Sequence, residues 1–152
     1  MASQRFDRRL DVASGRQRAW AVLTDVQELT SWVRIVHETV EIDRLNTYTA
    51  VLQDRLGPFA LKAVLDISVT VPEELTEIRV QASGRDRAVD TKLTVDATLR
   101  LGDAAGGGTT VQVDGEYQVT GKVAAMGAGV IRKKADQILA DFVTNAARVL
   151  DN

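Results

Sequence analysis

Residues 120–143 read TGKVAAMGAGVIRKKADQILADFV, the front of what the spacing predicts to be a long helix over 122–150. Val123, Met126, Val130, Ile131, Ala135, Ile138, Leu139, Phe142, Ala146 and Val149 recur at helical spacing and form one apolar stripe. Arg132, Lys133, Asp136, Asp141 and Arg148 fall on the opposite, wet face. The front of this helix is weak, because Gly121, Gly127 and Gly129 stand there among alanines. A glycine inside a helix costs about 1 kcal/mol relative to alanine. What the stripe covers, and why its front is stripped of side chains, decides how the rest of the chain is read.

The answer begins upstream, where the hydrophobic period is two rather than 3.6. Phe59, Leu61, Ala63, Leu65, Ile67, Val69 and Val71 share one face of a strand, with Lys62, Asp66, Ser68 and Thr70 on the other. Ile78, Val80 and Ala82 repeat the pattern. So does the run from Val89 through Thr91, Leu93, Val95, Ala97 and Leu99 to Leu101, and so do Val111, Val113, Gly115, Tyr117 and Val119. One dry face and one wet face mark an antiparallel sheet. Turn chemistry separates the strands at Leu45-Asn46-Thr47, Gly57-Pro58, Pro72-Glu73-Glu74, Gly84-Arg85-Asp86 and Gly102 to Gly108.

Before the sheet, residues 4–13 alternate as a first strand, with Phe6, Leu10 and Val12 on one face. Ser14 is placed to cap a helix through GRQRAWAVLTD, and Asp25 to cap a shorter one through VQELTSWV. The order is therefore strand, two short helices, six strands and one long helix. This predicts an α+β helix-grip fold: a seven-stranded antiparallel sheet curved around its C-terminal helix, in a single domain over 1–152. The length of 152 residues suits one domain, burying about 70% of the surface its unfolded chain exposes.

Composition removes several functions. Cysteine is absent and His37 is the one histidine, so disulfides, thiol chemistry and Cys/His zinc sites have no residues to build them. No glycine-rich phosphate fingerprint occurs, and the GGG at 106–108 leads into a strand rather than a helix. The expectation is no metal and no cofactor. With 19 basic and 21 acidic residues the net charge is −2, which offers no footprint for nucleic acid. The start, MASQRFDRRL, carries no apolar signal core, and the expected location is the cytoplasm.

Three blocks then carry a resemblance over nearly the whole chain: AWAVLTDVQEL (19–29), LGPFALKAVLDISV (56–69) and GEYQVTGKVAAMGAGVIRKKADQILADF (115–142). They resemble the START-like superfamily, also called SRPBCC, and within it the CoxG family, that of the carbon monoxide dehydrogenase G subunit. The third block is the most specific. The stretch WVRIVHETVEI (32–42) departs from the family, which usually has a Pro-Gly turn soon after the second helix.

In such a fold the resemblance puts the helix front at the mouth of a cavity, where glycines and alanines leave volume unfilled. The alternative is that they let helix and sheet approach closely. The candidate cavity is lined by Leu61, Leu65, Val95, Tyr117, Met126 and Gly127. Strand parity offers Arg8, Glu38, Asp54 and Thr91 as inward polar groups, of which Arg8, Glu38 and Asp54 are candidate handles for a ligand head. Arg132 and Lys133 form a candidate docking patch for an acidic partner surface or anionic lipid heads, with the bland alternative of a solvated helix face.

The resemblance implies a non-enzymatic carrier or assembly factor. Its ligand would be quinone- or lipid-like and its partner a molybdenum hydroxylase-type dehydrogenase, with membrane contact peripheral at most, on the inner face. Two alternatives stay open. One is an enzyme of the polyketide cyclase or dehydratase type, which would need an acid–base pair in the cavity. The other is an interaction domain with a filled core.

Overall fold

The computed structural model describes residues 2–151. Its elements are β1 (Ala2–Val12), α1 (Arg16–Leu23), α2 (Val26–Ser31), β2 (Val36–Asp43), β3 (Thr47–Leu56), β4 (Phe59–Glu73), β5 (Glu77–Asp86), β6 (Thr91–Asp103), β7 (Thr109–Gly121) and α3 (Ala128–Leu150). The strands form one seven-stranded sheet in the order β1-β7-β6-β5-β4-β3-β2. Every neighbouring pair is antiparallel. Strands β2 to β7 follow one another as a meander, and β1 completes the sheet beside β7. This is the expected α+β architecture, a sheet with its long helix on the dry face.

The alternation holds strictly in β4: Leu61, Ala63, Leu65, Ile67 and Val69 are buried, and the residues between them are exposed. It fails in β2, the edge strand. Register shifts between His37 and Val40 and between Glu41 and Asp43 insert bulges, and Glu38 takes a φ of 53°. Each bulge turns the following side chains to the other face. Val40 and Ile42 accordingly sit 50% and 62% exposed, and Glu38 points to solvent rather than inward.

The caps differ in an instructive way. Asp25 caps α2, accepting the Glu28 amide at 3.2 Å. Ser14 does not cap α1, whose N-cap is Gly15 with no side-chain bond. The buried Ser14 instead donates its hydroxyl to the Leu150 carbonyl at 2.5 Å and its amide to the same oxygen at 2.9 Å. The last carbonyls of a helix have no intrahelical donor, so Ser14 ties the end of α3 to the start of α1. The turn expected at 84–86 also moves. β5 runs on to Asp86, because that buried carboxylate accepts the amides of Lys62 at 2.8 Å and Ala88 at 2.9 Å. The chain turns over residues 87–90 instead.

The predicted helix over 122–150 is two pieces. A 3₁₀ turn covers Val123–Met126, Gly127 breaks it with a φ of 104°, and α3 begins at Ala128. Gly121 ends β7 with a φ of 94°, where a Cβ would stand 1.8 Å from the Asp90 carbonyl oxygen. Two of the three glycines therefore sit outside the helix, at turns that need left-handed backbone. Only Gly129 weakens α3 from within. Val130, placed on the apolar stripe by spacing, is 46% exposed.

A cavity under the C-terminal helix as candidate functional site

Two apolar cores pin α3 to the sheet. The larger joins Leu23, Leu99, Leu101 and Val111 to Ala146 and Leu150, and the smaller joins Ala2, Tyr117, Val119 and Val123 to Ile131. The middle of the sheet is left uncovered. Val80, Ala82, Leu93, Val95 and Ala97 point to the helix side from central strands, yet each is only half-buried. A side chain in that position is fully buried when something packs on it. Here the space holds a cavity of 320 Å³.

Its roof is Ile131, Ala135, Ile138, Leu139 and Phe142 of α3, and its floor includes Leu61, Leu65 and Leu99. Behind the wall, Phe142 packs on Trp32, the ring centroids 5.3 Å apart in an edge-on arrangement. The volume comes from short side chains in the floor, Ala82 and Ala97, set against a helix that does not reach them.

Of the residues proposed to line a cavity, Leu61, Leu65, Val95 and Tyr117 are in its wall, and Met126 and Gly127 are not. Met126 turns toward the β3–β4 turn, where a Cβ on Gly57 would lie 2.6 Å from its terminal methyl. Gly127 is exposed with nothing within 4 Å of a built Cβ. The void thus lies beneath the body of α3, with the glycine-rich front to one side.

The polar candidates separate. Asp54 lines the cavity and is paired with Lys134 of α3, Nζ to Oδ2 at 3.1 Å. Arg8 is outside it, bridging to Asp136 at 3.2 Å and so fastening β1 to α3. Thr91 lines the wall, but its hydroxyl donates to the Val89 carbonyl and accepts the Val123 amide, holding the 3₁₀ turn. Tyr117 has no hydrogen-bond partner among the described residues. Burial pushes its phenol above the ordinary tyrosine range, the Asp136 carboxylate adds to this, and Arg132 opposes it. Arg132 and Lys133 are exposed on α3.

Lys134 was missed by sequence reasoning, which singled out only its neighbours Arg132 and Lys133. The signal was present: it lies three residues after Ile131 and four before Ile138, on the same helix face as both. Thr30 was missed too, and it lines the cavity from α2 while bonded to Thr39 at 2.7 Å.

The opposite, convex face of the sheet carries a polar hollow of 430 Å³ that includes Asp66, Asp96 and Glu116. Asp96 there is already engaged by Arg79, at 2.6 and 3.1 Å. Among the described residues, no three His, Asp or Glu side chains come together as a metal site. No helix among them is long and apolar enough to cross a membrane.

Known structures of the same shape are distant in sequence. A conserved protein from Geobacillus kaustophilus superposes with a TM-score of 0.82 at 18% identity, over 97% of this chain and 95% of that one. A START superfamily protein from Mycobacterium smegmatis gives 0.73 at 13% identity, over 97% of each chain. A Streptomyces aromatase/cyclase gives 0.68 at 9%, over 98% and 94%. At these identities the likeness establishes the fold alone. No curated protein sequence matches significantly. The sequence profile of one family, that of the carbon monoxide dehydrogenase G subunit, matches residues 9–151, almost the whole chain. On that match, joined to the START-like fold, the chain belongs to the CoxG family.

Proposed function

We propose that the protein is a non-enzymatic carrier or accessory factor that holds an apolar, quinone- or lipid-like molecule between its sheet and α3. Its partner in this reading is a molybdenum-containing dehydrogenase of the carbon monoxide dehydrogenase type, and family membership supports that choice. The observation that carries the carrier reading is the uncovered sheet centre. Val80, Leu93 and Val95 keep apolar surface facing a 320 Å³ void. Removing such surface from water is worth about 25 cal/mol per Å², so an apolar guest is the occupant this wall favours. Sites of a few hundred Å³ with mostly apolar walls and a few polar groups are the usual form of small-molecule sites.

A cyclase-type enzyme on this scaffold would require an acid and a base facing the guest. The carboxylate in the wall, Asp54, is engaged with Lys134, Arg8 and Glu38 lie outside, and burial holds the Tyr117 phenol above its ordinary range. That arrangement favours holding over turnover. Arg132 and Lys133, exposed beside the cavity roof, are in this proposal the contact for an acidic surface of the partner enzyme.

Native mass spectrometry of the purified protein, followed by solvent extraction, tests the reading. The expected result is an apolar adduct that leaves on extraction and is replaced by a neutral apolar dye. Protein that carries no adduct and takes up no dye would rule the carrier out.

A further inference from the structure

One ion pair stands in a wall whose other polar side chains, Thr30, Thr91 and Tyr117, are uncharged hydroxyls. Asp54 reaches it from β3 and Lys134 from α3, on opposite sides of the void. The Asp54 side chain is 13% exposed and that of Lys134 32%. Both carboxylate oxygens are occupied, Oδ2 by Lys134 at 3.1 Å and Oδ1 by the Arg55 amide at 2.8 Å. An ammonium has three donors, and no second partner of Lys134 occurs among the described residues. The wall hydroxyls of Thr30 and Thr91 are committed elsewhere, and the remaining one, the Tyr117 phenol, is a neutral donor that discriminates far less between charged and uncharged heads than an ammonium does. Lys134 therefore keeps N–H donors for a guest while its charge is already balanced.

That balance decides which guest fits. A carboxylate- or phosphate-headed guest drawn to Lys134 would stand beside the Asp54 charge, and away from water like charges repel strongly. A neutral acceptor, such as an ester, ketone or amide carbonyl, takes a Lys134 N–H without that repulsion. A lysine alone would do the reverse and recruit anions. We infer that the Asp54–Lys134 pair is a charge filter that admits neutral, acceptor-headed amphiphiles and excludes anionic ones of the same chain length. The inference rests on the carrier reading above and names the ligand class of that site.

The test is displacement of the neutral dye N-phenylnaphthylamine by two chain-matched competitors, dodecanoate and methyl dodecanoate, with dodecane as the headless control. The wild type should prefer the ester. Desolvation of the carboxylate contributes to that preference, so the decisive arm is Asp54→Asn, which leaves the Lys134 charge unopposed. Dodecanoate should then gain about tenfold, the size of one good charge contact, and the order should reverse. Lys134→Met should weaken the ester by about tenfold or more, as for one lost hydrogen bond to a charged group, and leave dodecane unchanged. The double variant Asp54→Leu/Lys134→Met, which removes both charges and the Lys134 donors together, keeps the test open if a single variant fails to fold. It should bind dye and dodecane while the ester's advantage over dodecane is lost. An unchanged ester-to-dodecanoate ratio in Asp54→Asn, or an unchanged ester-to-dodecane ratio in the double variant, with dye still binding would overturn the filter and spare the carrier. Failure of the wild type to bind dye would overturn the carrier and the filter with it.

Discussion

Trp32 and Phe142 meet edge to face, with 5.3 Å between ring centroids and 68° between ring planes. Trp32 follows α2 and is buried, and Phe142 is half-buried on α3, so this contact ties the α2 segment to the helix that roofs the cavity. Phe142→Ala should lower unfolding stability by about 2–3 kcal/mol, less than a fully buried ring because Phe142 keeps some exposure. Phe142→Leu keeps most of the apolar area and should cost about 1 kcal/mol. Chemical denaturation followed by tryptophan emission measures both. Stability of Phe142→Ala equal to the wild type would show that this contact does not hold α3 in place.

The glycines of the α3 front give opposite expectations. Gly121→Ala places a Cβ 1.8 Å from the Asp90 carbonyl at a φ of 94°, and should cost about 3 kcal/mol. Gly129 is helical and a Cβ there meets nothing within 4 Å, so Gly129→Ala should stabilise by about 0.5 kcal/mol. Thermal melts of the two variants that moved in the same direction would contradict this assignment.

On the wet face, the Arg79 guanidinium hydrogen-bonds the Asp96 carboxylate and holds it below the ordinary carboxylate range. A group depressed in the folded state stabilises above its unfolded pKa and loses that contribution as pH falls through the folded one. Asp96→Asn should therefore lower the melting temperature slightly at neutral pH, since exposed pairs contribute little. The gap between variant and wild type should close in acid. A gap that widened as pH fell would mean the opposite sign of linkage.

If Arg132 and Lys133 dock the partner enzyme, reversing both to glutamate weakens that association at low ionic strength. The effect shrinks as salt rises, because exposed charges are screened beyond about 8–10 Å in physiological buffer. Dye uptake stays intact, since both side chains lie outside the cavity wall. Surface plasmon resonance with the dehydrogenase immobilised reads this directly. Equal association of wild type and variant at low salt would move the contact surface elsewhere.

Much of this fold was legible because β4 to β7 alternate regularly enough for parity to tell the helix-side face from the solvent face. Parity failed at Glu38, where two bulges in the edge strand re-aim the side chains and nothing in the sequence marks them. It was Ser14 and Asp86 whose side-chain bonds, to Leu150 and to two amides, replaced the cap and the turn that their residue types suggest. The space itself was assigned to the wrong short residues. Glycine in a helix is conspicuous, whereas Ala82 and Ala97 in strands look like ordinary inward positions. Their size matters only because the helix opposite does not reach them. Lys134 was hidden by its neighbours in a basic run, although its spacing from Ile131 and Ile138 placed it on the inner face.

The most direct measurement of the central claim is equilibrium binding of N-phenylnaphthylamine to the wild type and to Ala97→Phe. Ala97 faces the void from β6 and is half-buried there, so a phenyl ring has room to enter without displacing the core. Overpacking a filled core costs about 1–3 kcal/mol, and a ring entering empty space escapes that cost. The expected result is a wild type that binds the dye and a variant that does not, with unfolding stability equal to or above that of the wild type. Equal dye binding by the two proteins, or a variant destabilised as a packed core would be, would contradict it.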